Sequence, residues 1–182
     1  CEDDGVLSRV DATRLDLCDP FSHTLLRPPQ AEVEAIEHAL VLARQAGCAL
    51  HIVHVSTARG ARLVAAARPH QPVSAETCPQ YLYLTEEALR RPEGYRLLCS
   101  PPLRNEDTRQ LLGELVLAGA LDVLASDHCP FSRRDKDIIN GDFRAVPCGV
   151  PGLGALVPLA FELLTEQGGP GLEALVRMVA TN

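Results

Sequence analysis

The 182-residue chain lacks the patterns that mark membrane and nucleic-acid-binding proteins. No apolar stretch reaches the roughly eighteen residues of a membrane span, and no basic-then-apolar secretory leader is present. The longest basic runs are the pairs Arg90-Arg91 and Arg133-Arg134, and the formal net charge is -7. Because nucleic acids and anionic membranes favour basic patches, we expect neither as a partner. The expected partner is a small molecule or another subunit.

Paired-cysteine motifs are also missing, although the chain has seven cysteines. They are an odd, scattered set without CxxC or any other paired spacing, so neither a disulfide framework nor a zinc knuckle is indicated. Free thiols are typical of a reducing compartment. We therefore expect a cytoplasmic protein.

The pattern that is present is an alternation of helices and strands, in a chain that is 46% hydrophobic and 23% charged. Short connections between them predict βα units and a parallel sheet. Helices are predicted over Pro29 to Ala46, Ala58 to Arg68 and Asn105 to Ala118, with helical patterns near Leu153 to Leu164 and Leu172 to Val179. Strands are predicted over Ala49 to Val55, Pro72 to Thr77 and Asp122 to Ser126.

Two architectures fit this α/β pattern, an open doubly wound sheet and a (β/α)8 barrel. The chain has no GxGxxG after a strand and no GxxxxGK[ST], which weakens the phosphate-binding versions of the open sheet. In a barrel the active site lies at the carboxyl ends of the strands. His54 and Asp127 occupy that position on two of the predicted strands.

Metal-binding side chains thus follow two strands, which suggests a metal-dependent hydrolase. With a period of two, His54 shares a face with Leu50 and Ile52, and we expect that row to line a barrel interior. Asp127 ends a similar row with Val123 and Ala125, whereas His51 is placed on the opposite, helix-packed face and is expected to be structural. Two ligands are too few for a catalytic zinc, which usually has three protein ligands and a water.

Other residues have competing interpretations. From spacing alone, His54 is also explained as a hydrogen-bonded structural histidine, and Asp127 as a helix cap. His128 either orients a ligand or packs in a loop. Ser100 precedes two prolines that hold its loop extended, which suits a substrate contact. Arg104 either binds a carboxylate or pairs with an adjacent acidic residue, and the pairing is favoured.

Six motifs occur in order along nearly the whole chain and resemble the cyclic amidohydrolases, most closely the dihydropyrimidinase and hydantoinase branch. They are LLRPPQAE (25–32), HIVHVS (51–56), AETCPQYL (75–82), CSPPLR (99–104), ASDHCPF (125–131) and VPCGVPG (146–152). The resemblance implies a (β/α)8 barrel with two zinc ions. It also implies ring opening of a dihydropyrimidine or a 5-substituted hydantoin, a small-molecule cyclic amide, by a zinc-bridging hydroxide.

The same resemblance assigns roles to four residues. His54 matches the sixth-strand metal ligand, and Asp127 matches the eighth-strand ligand that is also the catalytic acid and base. Ser100 matches a residue that binds the ring, and Cys148 matches a position that contacts the ring through its backbone. The chain departs from the family pattern at Cys148, usually Asn, and at Gly154, usually Glu.

By this comparison residues 1–182 are a partial metal-dependent amidohydrolase barrel domain, covering about strands six to eight with their helices. The N-terminal half and a C-terminal sandwich segment are expected to be absent, so the remaining ligands lie outside the chain. We expect the isolated segment to be inactive and to bind zinc weakly. The complete protein is expected to be a homo-oligomer, a tetramer or a dimer.

Three alternatives remain open at this point. Allantoinase and dihydroorotase share the metal set of the family. A non-catalytic scaffold protein related to dihydropyrimidinase would keep the barrel and lose metal ligands, and the presence of His54 and Asp127 argues against it.

Overall fold

The computed structural model describes residues 1–137, 141–166 and 168–182, and its centre is a parallel sheet. The sheet has three strands in the order β1-β2-β3, with Leu50 opposite Val73 and Glu76 opposite Val123. The strands are β1 (Leu50–Ile52), β2 (Val73–Thr77) and β3 (Val123–Leu124). Each predicted strand is present and shorter than predicted.

Helices precede, connect and follow the strands. The α-helices of the described ranges are α1 (Asp4–Leu7), α2 (Ser22–Leu26), α3 (Pro29–Ala46), α4 (Ala58–Ala67), α5 (Pro79–Tyr83), α6 (Glu106–Leu117), α7 (Arg133–Lys136), α8 (Leu153–Phe161) and α9 (Leu172–Val176). Single 3-10 turns occur at Ala12–Arg14, Glu86–Arg90, Gly94–Leu97 and Phe143–Ala145, and π-helical turns follow α8 and α9 at Glu162–Glu166 and Arg177–Thr181. None of these helices has the length and apolar character needed to cross a membrane.

Local signals set the ends of the long helices. Pro29 occupies the first turn of α3, where a missing backbone N–H costs nothing, and Gly47 ends it with a left-handed φ of 66°. The Asn105 side chain accepts a hydrogen bond of 2.9 Å from the amide of Thr108 and caps α6. The predicted helices over 29–46, 58–68 and 105–118 are confirmed to within one residue at each end.

The connections favour the barrel over the open sheet. Both run from one strand to its immediate neighbour, so the strand order follows the chain without reversal. The helices pack on one side, where Ile52, Ala75 and Leu124 join the core with residues of α3, α4 and α6. A complete doubly wound sheet has helices on both faces and a reversal of strand order, and the described residues contain neither. The arrangement fits a barrel wall.

The face assigned to His51 is a wrong prediction. Its neighbour Ile52 is 4% exposed and packs against the helices, whereas the His51 side chain is 39% exposed on the opposite, uncovered face. There His51 Nδ1 lies 2.8 Å from the Ser74 hydroxyl and Nε2 lies 3.2 Å from the Glu76 carboxylate. The alternation of side chains gives the period of a strand but does not tell which face the helices cover. In the structure, the row of Leu50 and Ile52 faces the helices and not a barrel interior.

Candidate active site

His54 and Asp127 have the same unusual backbone conformation. Their φ angles are 43° and 42°, and they are the two non-glycine residues with positive φ in the described part of the chain. This conformation ends the extended run of each strand and turns the side chain away from the alternating pattern. Strained φ values cluster at functional sites, so both strand ends qualify as candidates on backbone grounds alone.

The two side chains lie close enough to interact electrostatically. Burial raises the pKa of the Asp127 carboxyl, the nearby His54 imidazole opposes that change, and the Glu76 carboxylate adds to it. His54, Glu76 and Asp127 come from β1, β2 and β3 or the residues directly after them. The fold therefore brings together the predicted pair and adds a second acidic group, Glu76, near it.

The side chains of His54 and Asp127 are of types that bind zinc, but two ligands are too few to complete a zinc site. Imidazole nitrogen and carboxylate oxygen are both zinc ligands, and His54 Nδ1 is a buried ring nitrogen that no group of the described residues satisfies. Across the described ranges no three His, Cys, Asp or Glu side chains are grouped to hold a metal. These residues fit a partial zinc site.

The loops that carry Ser100 and Cys148 are held side by side. The amide of Gly149 donates a 2.8 Å hydrogen bond to the carbonyl of Leu98, and the Ser100–Pro101 peptide is cis. Ser100 is half-buried and Cys148 is exposed. Burial raises the pKa of the Cys99 thiol to about 12, with Cys148 and Asp127 adding to the effect. All four predicted site residues thus belong to one region of the molecule.

A cavity of about 270 Å³ borders this region. Its lining combines Cys148 with apolar side chains and with His23, whose Nε2 lies 2.9 Å from the Cys99 carbonyl. Burial lowers the pKa of His23 to about 4, which keeps the imidazole neutral at neutral pH. A larger groove of about 790 Å³ runs along α5 and α6, and none of the four predicted site residues lines it.

A buried carboxylate fixes the turn that follows His54. Glu32 on α3 is 1% exposed and accepts hydrogen bonds from the amides and hydroxyls of Ser56 and Thr57, at 2.5 to 3.2 Å. Arg104 is buried beside it and donates to the Ser56 hydroxyl at 3.0 Å and to the Arg27 carbonyl at 2.7 Å. Glu32 was not predicted as a functional residue, although an acidic residue on the apolar stripe of α3 indicates a buried carboxylate.

Two further predictions are decided by these contacts. The favoured pairing of Arg104 with a neighbouring acidic residue is wrong, because its guanidinium bonds to Ser56 and Arg27. His128 Nδ1 accepts hydrogen bonds of 3.2 Å from the amides of Gly152 and Leu153, so this histidine packs against the start of α8. Burial also raises the pKa of the neighbouring core thiol of Cys78, which disfavours a nucleophilic thiolate there.

Comparison with known proteins gives clear relatives, although no family model matches the chain. D-phenylhydantoinases of Escherichia coli are 39% identical in strain O1:K1 and 41% in strain O81 (ED1a), in each case over 98% of this chain and 40% of the relative. The crystal structure of dihydropyrimidinase from Brevibacillus agri NCHU1002 superposes with a TM-score of 0.91 and 36% identity, over 97% of this chain and 40% of that one.

The chain spans about 40% of the length of the curated relatives that it matches. Within that span, sequence and fold agree from end to end, and the strand order is that of a barrel wall. Over the matched segment, the chain is similar in sequence and fold to hydantoinases and dihydropyrimidinases, and its three-stranded unit is part of a (β/α)8 barrel.

Proposed function

We propose that the complete protein hydrolyses a cyclic amide, opening the ring of a dihydropyrimidine or a 5-substituted hydantoin. The observation that carries this proposal is the match of 98% of the chain to D-phenylhydantoinases at 39% to 41% identity. The common location of His54, Asp127, Ser100 and Cys148 supports it, because these are the residues to which the resemblance assigns roles in the reaction.

We further propose that the reaction depends on zinc, with two ions in the complete site. His54 and Asp127 would supply one imidazole and one carboxylate, and the unsatisfied Nδ1 of His54 supports this role. The remaining ligands would come from the part of the barrel that this chain does not cover. Bound zinc supplies a nucleophile at neutral pH by lowering the pKa of water, and it polarises the amide carbonyl.

Asp127 would move the proton of the reaction. As the oxygen of water forms a bond to the ring carbonyl carbon, the carboxylate accepts the proton that water loses. The C–N bond of the ring then breaks, and the carboxylic acid returns this proton to the leaving nitrogen. Ser100 and the backbone at Cys148 would hold the ring in place, which keeps its carbonyl carbon within reach.

The surface and the thiols support the remaining expectations for the complete protein. All seven cysteines are free, which favours a reducing, cytoplasmic location. Exposed apolar side chains at Leu153, Val157 and Phe161 form one stripe of α8 and suit a further protein surface. The part of the complete protein outside this chain is one such surface and a second copy in a homo-oligomer is another, and the net charge of -7 disfavours nucleic acid as a partner.

The decisive experiment measures ring opening by the complete protein on dihydrouracil, hydantoin, allantoin and dihydroorotate, with and without a chelator. We expect turnover on dihydrouracil or hydantoin that the chelator abolishes and added zinc restores. Preferred turnover of allantoin or dihydroorotate would assign the protein to those activities instead. Chelator-insensitive turnover would exclude the metal, and no turnover on any ring would favour a non-catalytic scaffold.

A paired substitution tests the role of Asp127. Asp127→Asn should lower the rate of ring opening by about 10²- to 10⁴-fold, the usual contribution of a positioned acid-base group. Asp107→Asn is the matched control, because Asp107 is exposed in the first turn of α6. Equal activity of Asp127→Asn and the control would remove Asp127 from the mechanism.

A further inference from the structure

The chain contains a single lysine, Lys136, among seventeen basic residues. It is the last residue of the short helix α7 and is 4% exposed, although lysine is among the residues that are least often buried. The adjacent Arg133 and Arg134 on the same helix are exposed. The burial of Lys136 is therefore a property of that position and not of the helix.

The ammonium group of Lys136 connects two loops. It donates one hydrogen bond of 3.2 Å to the carbonyl of Leu98 and another of 2.7 Å to the carbonyl of Pro147. Leu98 lies two residues before Ser100, and Pro147 directly precedes Cys148. The same two loops are joined by the hydrogen bond from Gly149 to Leu98, so Lys136 reinforces the contact between the proposed ring-binding segments.

The segment that follows Asp127 joins the same contact. The amide of Cys129 donates a 3.1 Å hydrogen bond to the carbonyl of Val150. A Cβ atom on Gly149 would lie 2.6 Å from the Cys129 carbonyl oxygen, so the two backbones meet with no space for a side chain. Three chain segments that carry proposed site residues thus converge where Lys136 is buried.

Burying the charged ammonium group of Lys136 costs desolvation free energy, which an apolar side chain in the same space would not incur. The hydrogen bonds of its ammonium to Leu98 and Pro147 go to neutral carbonyls, and the centre of the Phe131 ring lies 5.6 Å from Lys136 Nζ. Burial lowers the pKa of Lys136, as expected for a charge removed from water. An apolar residue of similar length would fill the space without that cost, but it could not bond to two carbonyls at once.

We propose that Lys136 is a positioning residue that fixes the loops of Ser100 and Cys148 relative to each other and thereby sets the affinity for the ring. The inference rests on the proposed function in naming the ring as the ligand. The positioning role itself rests on the two hydrogen bonds from Lys136 and on the contact of the three segments. Lys136 acts through the backbone of the loops and does not touch the reacting atoms.

The test compares Lys136→Met, which removes the charge and keeps the length, with Lys136→Arg, which keeps the charge. Arg134→Met is the matched control, because it removes one charge from an exposed position of the same helix. In the complete protein, Lys136→Met should raise KM for the ring about tenfold or more, the effect of losing a charged hydrogen bond, with bound zinc unchanged. Lys136→Arg should recover part of the affinity, and Arg134→Met should match the wild type.

A second measurement separates this proposal from the proposed function. Hydrogen exchange of the Gly149 amide in the complete protein reports the contact between the loops without any substrate. Lys136→Met should speed this exchange about tenfold relative to wild type and Arg134→Met, because the reinforcing hydrogen bonds are lost. If the wild type opens no ring, the proposed function fails, and the exchange of the Gly149 amide still tests whether Lys136 holds the two loops together. Unchanged Gly149 exchange, or an unchanged KM in an active protein, overturns the positioning role.

Discussion

The hydroxyl of Ser56 donates a hydrogen bond of 2.5 Å to the carboxylate of Glu32, which lies 24 residues earlier in the chain. Ser56 follows His54 by two residues, so this contact anchors the end of β1 to helix α3. Because Glu32 is buried and accepts hydrogen bonds from the amides and hydroxyls of Ser56 and Thr57, it fixes the backbone on the carboxyl side of His54.

We expect Glu32→Ala to destabilise the fold by about 3 to 5 kcal/mol, the cost of leaving buried polar partners unpaired. Glu37→Ala is the control on the same helix, because Glu37 is 42% exposed and contacts Arg59 at 3.3 Å on the surface. It should cost less than about 1 kcal/mol. Urea denaturation measures both free energies of unfolding, and equal values for the two variants would contradict the structural role of Glu32.

The buried His23 should make stability depend on pH. Its pKa falls from 6.5 to about 4 on folding, because burial disfavours the imidazolium ion. The unfolded state therefore binds the proton more readily, so this contribution is complete above pH 6.5 and is lost as the pH falls toward 4. The loss should reach about 3 kcal/mol. Denaturation curves between pH 4 and 7 should show the free energy of unfolding decreasing with falling pH in the wild type, and decreasing less in His23→Gln. An equal decrease in both would show that His23 is not its cause.

Gly152 gives a steric test of the strand end at Asp127. A Cβ atom at this position would collide with the backbone carbonyl of Ser126. We expect Gly152→Ala to cost about 2 kcal/mol or more, as overpacking does, and to shift Asp127. Gly113→Ala, in the interior of α6 with nothing within 4 Å of the new Cβ, should stabilise by about 0.5 to 1 kcal/mol. A drop in the thermal midpoint for Gly113→Ala, or none for Gly152→Ala, would contradict these assignments.

The 182-residue chain alone should bind zinc weakly, because His54 and Asp127 provide two ligands and a catalytic site usually needs three. Calorimetric titration of the wild type and of His54→Asn separates this binding from that of the five exposed thiols. The difference between the two titrations should be small and abolished by a mild chelator. Tight binding of one zinc per chain that depends on His54 would show that the ligands are complete within the chain.

Features with local causes were predictable from the sequence. The ends of α3 and α6 follow from Pro29, Gly47 and Asn105, which act on the backbone beside them. The strand ends were not predictable to the residue, because positive φ at His54 breaks the alternation within the predicted strand. A local pattern of apolar residues contains no information about that backbone turn.

Long-range polar contacts were missed for a different reason. Glu32, Arg104 and Lys136 are buried charged residues whose partners are backbone or hydroxyl groups at least 11 residues away. A charged residue in a sequence is expected at the surface, and its partners here carry no charge that would reveal the pairing. The predicted site residues were found through motifs, whereas the residues that support them depend on the tertiary fold.

The shared backbone conformation of His54 and Asp127 restricts which amino acids these positions can accept. Among non-glycine residues, Asn, Asp and His tolerate left-handed φ values best, and β-branched residues tolerate them least. Two of those three types are also common zinc ligands. In a saturation mutagenesis experiment, fold and chemistry would therefore select overlapping sets of residues at both positions. Asn would be the informative exception, since it suits the backbone while replacing an imidazole or a carboxylate with a neutral amide.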